Sequence, residues 1–230
     1  MSDFIKLENI QDGFNLAVTK RSVDGCSWTD MEKVCREAGF TIENLTSGQQ
    51  IHSDVVNVVE KSDIGVRKDG DALVTNLVNV PLLIFTADCV PIAIMDSENK
   101  AIGIAHSGWR GTFDTITQKA IKKMEKLYGT DPKKLKCVIG PSIGVCCYEI
   151  SEELAQQFEE KFGDVCFRSD GNVKLDLWKT NELILKEAGV AEENIYNMDI
   201  CTSCHCDEFY SYRKHDKVGG RIGIMLEILG

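Results

Sequence analysis

The sequence predicts a mixed α and β protein, α+β in class, and two observations carry that prediction. Helical and strand-like periodicities intermix from one end of the 230 residues to the other. No stretch rich in Pro, Gly or Ser separates them, and with only four prolines and no internal repeat, residues 1–230 read as a single domain.

Taken in chain order, the apolar run at 14–19 is the first strand. "SWTDMEKVCREAG" predicts a helix that starts at Ser27, with Asp30 at capping-box spacing, and stops at Gly39. Strand-like runs follow at 55–60, 80–86, 90–95 and 101–105. Phe113, Ile116, Ala120, Ile121, Met124 and Leu127 form one apolar stripe with lysines opposite, so a helix is expected over 113–128, ended by Gly129. A strand at 136–139 precedes helices over 151–163 and 177–189. Strands at 195–200 and 222–228 close the chain.

Composition removes several classes of function. A formal net charge of −10 argues against nucleic-acid and anionic-membrane partners, which need a basic footprint. No apolar run approaches the roughly 18 residues of a membrane helix. "MSDFIKLENIQDGFN" lacks a basic region followed by an apolar one, so no export signal is visible and a cytoplasmic protein is expected. Its ten cysteines are then read mainly as reduced thiols, most of them small buried hydrophobes and some of them ligands or nucleophiles.

Chemistry concentrates around "LLIFTADCVPIAIMD". Two apolar runs meet there with Thr86, Asp88 and Cys89 between them, a costly place for polar groups without a use. His52 just precedes the run at 55–60, and His106 ends the run of "AIGIAHSGWRGT". Singly, each residue has a plain structural explanation. Together, His52, Cys89 and His106 make a His2Cys set, three protein ligands that leave a fourth zinc position open for water or substrate. Zinc would ionise Cys89 and make bound water available as hydroxide near neutral pH. Asp88 either orients a ligand histidine or caps backbone amides. The "HSGWRGT" turn offers Gly108, Gly111 and the guanidinium of Arg110 as an anion site at a helix start, against the alternative of a plain turn with a solvated arginine.

Three other stretches carry weaker signals. Cys201-x-x-Cys204-His205 has the spacing of haem attachment, which a chain without an export signal does not support. A structural zinc on Cys201, Cys204, His205 and Cys206 would need adjacent ligands to converge. The vicinal thiols of "GVCC" read as core beside a turn, and "FYSYRK" as a strand whose basic end, Arg213 and Lys214, either reaches a substrate anion or is solvated.

The string "QQIHSD…DGDALVTN…TADCVPIAIMD…GIAHSGWRGT…IGPSIGVCCYEI…CTSC…FYSYRK…GGRIG" resembles the YfiH family, also called the laccase-domain or polyphenol oxidoreductase family, from about residue 46 to the C-terminus. The pairing of "TADC-P" with "H-GWRGT" is what makes the resemblance specific. It implies a single α/β/β/α sandwich with mixed sheets, and purine nucleoside phosphorylase activity with adenosine deamination beside it. It also implies a zinc ion on the residues that stand here as His52, Cys89 and His106. One departure is visible: relatives usually carry a Gly-Gly-x-Ser stretch near the N-terminus, where "KRSVDGCSWT" has only Gly25 and Ser27. The copper of a laccase is disfavoured, because a multicopper oxidase needs on the order of ten histidines and this chain has four.

On this reading the partners are a nucleoside and phosphate. Phosphate is held by Arg110 and the amides after it, or by zinc itself, and deamination would enlist Asp88 or Asp71 as the acid–base carboxylate. The same residues suit a cysteine hydrolase with Cys89 as nucleophile and His106 as base, the class to which a peptidoglycan-precursor editing enzyme would belong. A non-enzymatic, zinc-stabilised binding protein is the third alternative, disfavoured by the glycine-rich anion turn.

Overall fold

The computed structural model describes residues 2–8, 10–169, 171–215 and 219–230. Its strands are β1 (Phe4–Lys6), β2 (Phe14–Thr19), β3 (Thr46–Ser47), β4 (Val56–Val58), β5 (Ala72–Thr75), β6 (Leu82–Thr86), β7 (Val90–Asp96), β8 (Ala101–Ser107), β9 (Lys136–Ile139), β10 (Glu149–Ile150), β11 (Cys166–Ser169), β12 (Asn172–Leu175), β13 (Ile195–Asn197) and β14 (Ile222–Ile228). The α-helices are α1 (Trp28–Ala38), α2 (Trp109–Phe113), α3 (Ile116–Tyr128), α4 (Glu152–Phe162) and α5 (Leu177–Glu187). None of the helices is long and apolar enough to cross a membrane, among the described residues.

Two mixed sheets dominate, a five-stranded one in the order β1-β2-β14-β6-β3 and a six-stranded one in the order β13-β9-β7-β8-β5-β4. Period-two side-chain alternation sorts their residues into three layers of core. Leu16, Val18, Leu82, Ile84, Ile222 and Ile224 meet Ala93, Met95, Ile102 and Ile104 between the sheets. Alternate residues Ala17, Leu83 and Met225 point outward onto Met31, Val34 and Cys35 of α1. On the far side, Ile92, Ile94 and Ala105 pack against Ile116, Ala120, Ile121 and Met124 of α3. Each such fully buried Ile or Met contributes about 1.5–3 kcal/mol relative to exposure. The result is the α/β/β/α arrangement. A small antiparallel sheet, β10-β12-β11, is added beside α4.

The elements differ from expectation where local polar bonds intervene. The helix expected over 113–128 is two helices, α2 and α3, broken at Thr115, whose φ of 56° is left-handed. Thr112 Oγ1 donates back to the Ser107 carbonyl and accepts from Asn181 Nδ2, and the first helix starts at Trp109, with Gly108 as its N-cap, before the apolar stripe begins at Phe113. The strand expected to 200 ends at Asn197, whose Oδ1 accepts the Asp199 amide and turns the chain. "FYSYRK" is a turn rather than a strand: Lys214 N donates to Ser211 Oγ and His215 N to the Ser211 carbonyl. The hairpin β11–β12 went unread because its residues are mostly exposed and lack apolar alternation.

The topology positions the site. β6 lies in the five-stranded sheet and β7, next in the chain, lies in the six-stranded one, so residues 87–89 carry the backbone from one sheet to the other. The segment from β3 to β4 makes the same crossing. These two crossings and the end of β8 converge.

Candidate metal centre

Cys89 occupies the first crossing and His52 the second, while His106 sits one residue from the end of β8, opposite Pro91 of β7. One potential ligand atom from each of these three residues lies within 4.8 Å of the other two. The rings of His52 and His106 meet edge to face, 5.0 Å between centroids. Both crossings need left-handed backbone at non-glycine residues, φ 58° at His52 and φ 86° at Asp88, conformations that persist only where surroundings hold them. Gln50 holds the His52 crossing: its side-chain amide donates to the Phe85 carbonyl and accepts from Phe85 N, docking the His52 loop onto the end of β6.

Asp71 holds the other side. Its buried carboxylate accepts from His106 Nδ1 at 2.8 Å, from the amides of Ile51, His52 and Ser53, and from Ser53 Oγ. Burial alone would raise its pKa, but the bonds from His106 and Ser53 outweigh burial and hold it at about 2. Fixing Nδ1 leaves His106 Nε2 to face Cys89. Burial likewise opposes ionisation of Cys89 and of His106. Hydrogen bonds from His106 and His52 nevertheless bring the Cys89 thiol down to about 6, and Asp71 and Cys89 push His106 up to about 9.

Peptide-resolved alkylation of Cys89 by iodoacetamide, in protein treated with a chelator to remove any bound metal, is expected to speed up as pH rises through about 6 and to be flat by neutral pH. A midpoint near the ordinary thiol value would contradict the thiolate–imidazolium pair.

The trio suits zinc. It combines one thiolate and two imidazoles, one of them oriented by a carboxylate, with room for a further ligand on the cavity side. Gly108 makes that approach possible, since a Cβ there would lie 2.9 Å from Cys89 Sγ. Gly111 is also a packing residue, its missing Cβ facing the His106 carbonyl at 3.2 Å. Neither glycine lines the cavity, contrary to the anion-cradle expectation. Of the two carboxylates, Asp71 departs from expectation and Asp88 takes the second of its two expected roles, capping a backbone amide. Asp71, expected at the substrate, is only 1% exposed and stands behind His106. Asp88 lines the cavity but orients no histidine, because its oxygens accept from Thr202 Oγ1 at 2.7 Å and Arg213 N at 2.6 Å.

The trio opens into a cavity of about 650 Å³. Four arginines line it, Arg67, Arg110, Arg213 and Arg221, and none has a carboxylate partner among the described residues. They are held in place by other means. Arg110 lies over the Trp109 ring at 4.3 Å, Arg213 over Tyr148 at 5.2 Å, and Arg67 over Phe85 at 5.8 Å. Arg213 and Arg110 stood out in the sequence; Arg67 and Arg221 did not, because nothing local distinguishes a lone arginine in a loop. Lys214 does not line the cavity. The segment that departs from the Gly-Gly-x-Ser pattern brings Cys26 to the cavity. Gly25 N donates to the Arg221 carbonyl, and a Cβ on Gly25 would sit 2.6 Å from Gly223 N.

A family model described as "Multi-copper polyphenol oxidoreductase laccase" matches residues 8–228. A Borreliella burgdorferi protein named purine nucleoside phosphorylase is 32% identical, with 93% of this chain and 89% of that protein covered. A Mus musculus protein named purine nucleoside phosphorylase LACC1 is 31% identical over 85% of this chain, which spans about half (46%) of that relative's length. The crystal structure of a Bacillus licheniformis hypothetical protein, YfiH, superposes with a TM-score of 0.92 at 23% identity, covering 99% of this chain and 97% of that one.

Proposed function

We propose that this chain, which belongs to the multi-copper polyphenol oxidoreductase laccase family, also called the YfiH family, is a zinc-dependent purine nucleoside phosphorylase. It would cleave adenosine- and inosine-type nucleosides with phosphate to the free purine and ribose-1-phosphate. The observation that carries this reading is the set of four arginines around the His52–Cys89–His106 trio that have no carboxylate partner among the described residues, in a chain of net charge −10. Cations concentrated against the overall charge point to an anionic substrate. The cavity volume suits a nucleoside with phosphate beside it.

In phosphorolysis a phosphate oxygen bonds to C1′ while the C1′–N9 bond breaks and the purine leaves with the electron pair. Negative charge therefore moves from phosphate toward the base. Arg110 and Arg213 hold the incoming phosphate, and Phe85, Tyr148, Trp109 and Tyr212 wall the purine and ribose. Thr86 Oγ1, buried and without a hydrogen-bond partner among the described residues, is a further polar group at the cavity. His52, Cys89 and His106 would hold the metal, with Asp71 fixing the Nδ1 proton of His106. When bound, zinc supplies a fixed positive charge and Lewis acidity beside the reacting groups. Residues 1–230 act as one domain, since segments joining the two sheets supply both His52 and Cys89.

Copper is disfavoured as the resident metal despite the family's description, because four histidines cannot furnish a multicopper centre. Adenosine deamination has less support. Asp88 is the only carboxylate among the described lining residues, and both its oxygens are engaged.

A cysteine hydrolase is the second reading. Cys89, His106 and Asp71 also form a chain of nucleophile, base and orienting carboxylate. Chromatography of products from adenosine and inosine, with and without phosphate, separates the two. Phosphate-dependent release of base and ribose-1-phosphate, lost on chelation, is expected. Arg110→Ala is expected to raise KM for phosphate by about 10-fold or more with a smaller change in kcat. A KM for phosphate unchanged in that variant would remove Arg110 from the phosphate site. Absence of phosphorolysis in zinc-loaded protein would overturn the main reading.

A further inference from the structure

Four of the ten cysteines gather away from the cavity. Cys146 and Cys147 lie in the loop after β9, and Cys201 and Cys204 in the turns after β13, more than fifty residues on in the chain. Their four Sγ atoms all lie within 4.8 Å of one another. Cys204 Sγ is 3.5 Å from the Sγ of both Cys146 and Cys147. Sulfurs at the corners of a zinc tetrahedron with bonds of about 2.3 Å are separated by about 3.8 Å. A disulfide would bring two of them to about 2.05 Å and leave the others over. None of the four lines the cavity.

We propose that Cys146, Cys147, Cys201 and Cys204 form a second metal site, a closed, thiolate-only tetrahedral site for zinc. The surrounding backbone is arranged for it. Ser142 and Cys201 pair as a short parallel bridge, with Thr202 N donating to the Ser142 carbonyl at 3.0 Å. This holds the two loops in register before any metal binds. His205 N donates to the Cys201 carbonyl at 2.9 Å, closing the turn that presents Cys201 and Cys204 on one side. Gly144 N donates to Cys201 Sγ at 3.3 Å, a bond that favours thiolate. A Cβ on Gly144 would fall 3.2 Å from Cys146 Sγ and 3.0 Å from the Trp178 ring, so this residue has no room for a side chain. Lys174 Nζ donates to the Cys146 carbonyl at 2.7 Å and places a positive charge beside a centre that would carry a net charge of −2. Cys201 is buried, whereas Cys146 and Cys204 are exposed, so an ion has a path in.

Four sulfurs and no oxygen or nitrogen select a soft or borderline cation, and tetrahedral S4 geometry suits zinc. The sequence suggested another set for this region, with His205 and Cys206 beside Cys201 and Cys204. The fold replaces that adjacent pair with Cys146–Cys147. The site's role follows from its neighbours. Ile143 and Tyr148 line the cavity just either side of the cysteine pair, and Thr202 bonds Asp88. The metal would clip together the two loops that form this wall. It does not depend on phosphorolysis being the reaction.

The test is metal analysis by inductively coupled plasma mass spectrometry on protein purified with reductant, comparing wild type, Cys204→Ser, Cys204→His and Cys206→Ser. Cys204→Ser is expected to lose one zinc equivalent per chain, while Cys204→His, which keeps a ligand, and Cys206→Ser retain it. Cobalt in a Cys89→Ala background is expected to show the intense thiolate-to-metal charge-transfer and d–d bands of an all-sulfur tetrahedron. Equal zinc in wild type and Cys204→Ser would overturn the proposal. So would copper in place of zinc at this site, or a disulfide from Cys204 to Cys146 or Cys147 in the reductant-purified protein.

Discussion

Cys89→Ala is expected to remove one zinc equivalent per chain and to lower kcat/KM for phosphorolysis by about two to three orders of magnitude. The expectation rests on the place of Cys89 between His52 and His106 at the sheet crossing, where one potential ligand atom from each of the three lies within 4.8 Å of the others. The side chain is small and half-buried, and the crossing is anchored by Asp88 through Thr202, Arg213 and Ile143. The fold should therefore survive the change with little shift in Tm. Metal content and steady-state kinetics on the same preparation decide the matter, and a variant with wild-type zinc and full turnover would sink the assignment.

Asp71→Asn is expected to cost both stability and metal. The carboxylate accepts from three backbone amides, a hydroxyl and His106 Nδ1. An amide must turn its NH2 group toward at least one of those donors, leaving buried donors facing each other. The expected loss of stability is about 1–3 kcal/mol, read by urea denaturation. Loss of the orienting bond to His106 is expected to weaken zinc about 10–100-fold, read by competition with a chromophoric chelator.

The pH dependence has a definite sign. Because the folded-state pKa of Asp71 is depressed to about 2, its contribution to stability is present above the unfolded value of 3.8 and fades as pH falls toward 2. The metal-free wild type should therefore lose stability across that window, and the variant should lack this component. Parallel acid profiles would show that the Asp71 network stabilises nothing.

Much of the fold was legible because apolar periodicity survives any detail of packing. The runs at 14–19, 136–139 and 222–228 are strands with those bounds, and α1, α4 and α5 fall within their expected helices. Among the elements that escaped, β3 and the hairpin β11–β12 are short or exposed, so burial does not impose a pattern on them, whereas β5 is fully buried but only four residues long, too short a run to show a period. The ligand candidates were legible for a different reason. A thiol, a carboxylate and two histidines at strand ends are costly unless used, so their residue types and positions were informative before any contact was known.

What the sequence determined by itself was therefore the α+β class, the family resemblance and the choice of His52, Cys89 and His106 as candidate ligands, which the fold brings together. Only the tertiary structure decided which carboxylate orients a histidine. Asp71 and Asp88 look alike in the sequence, and they are separated by which backbone amides and side chains each meets across the sheets. Only it gathered Arg67 and Arg221 beside Arg110 and Arg213, and Cys146 and Cys147 beside Cys201 and Cys204. The physical reason is range. Periodicity and turn chemistry act over a few neighbouring residues, whereas a pocket or a metal cluster is made by groups tens to hundreds of residues apart, and their meeting depends on how the two sheets pack.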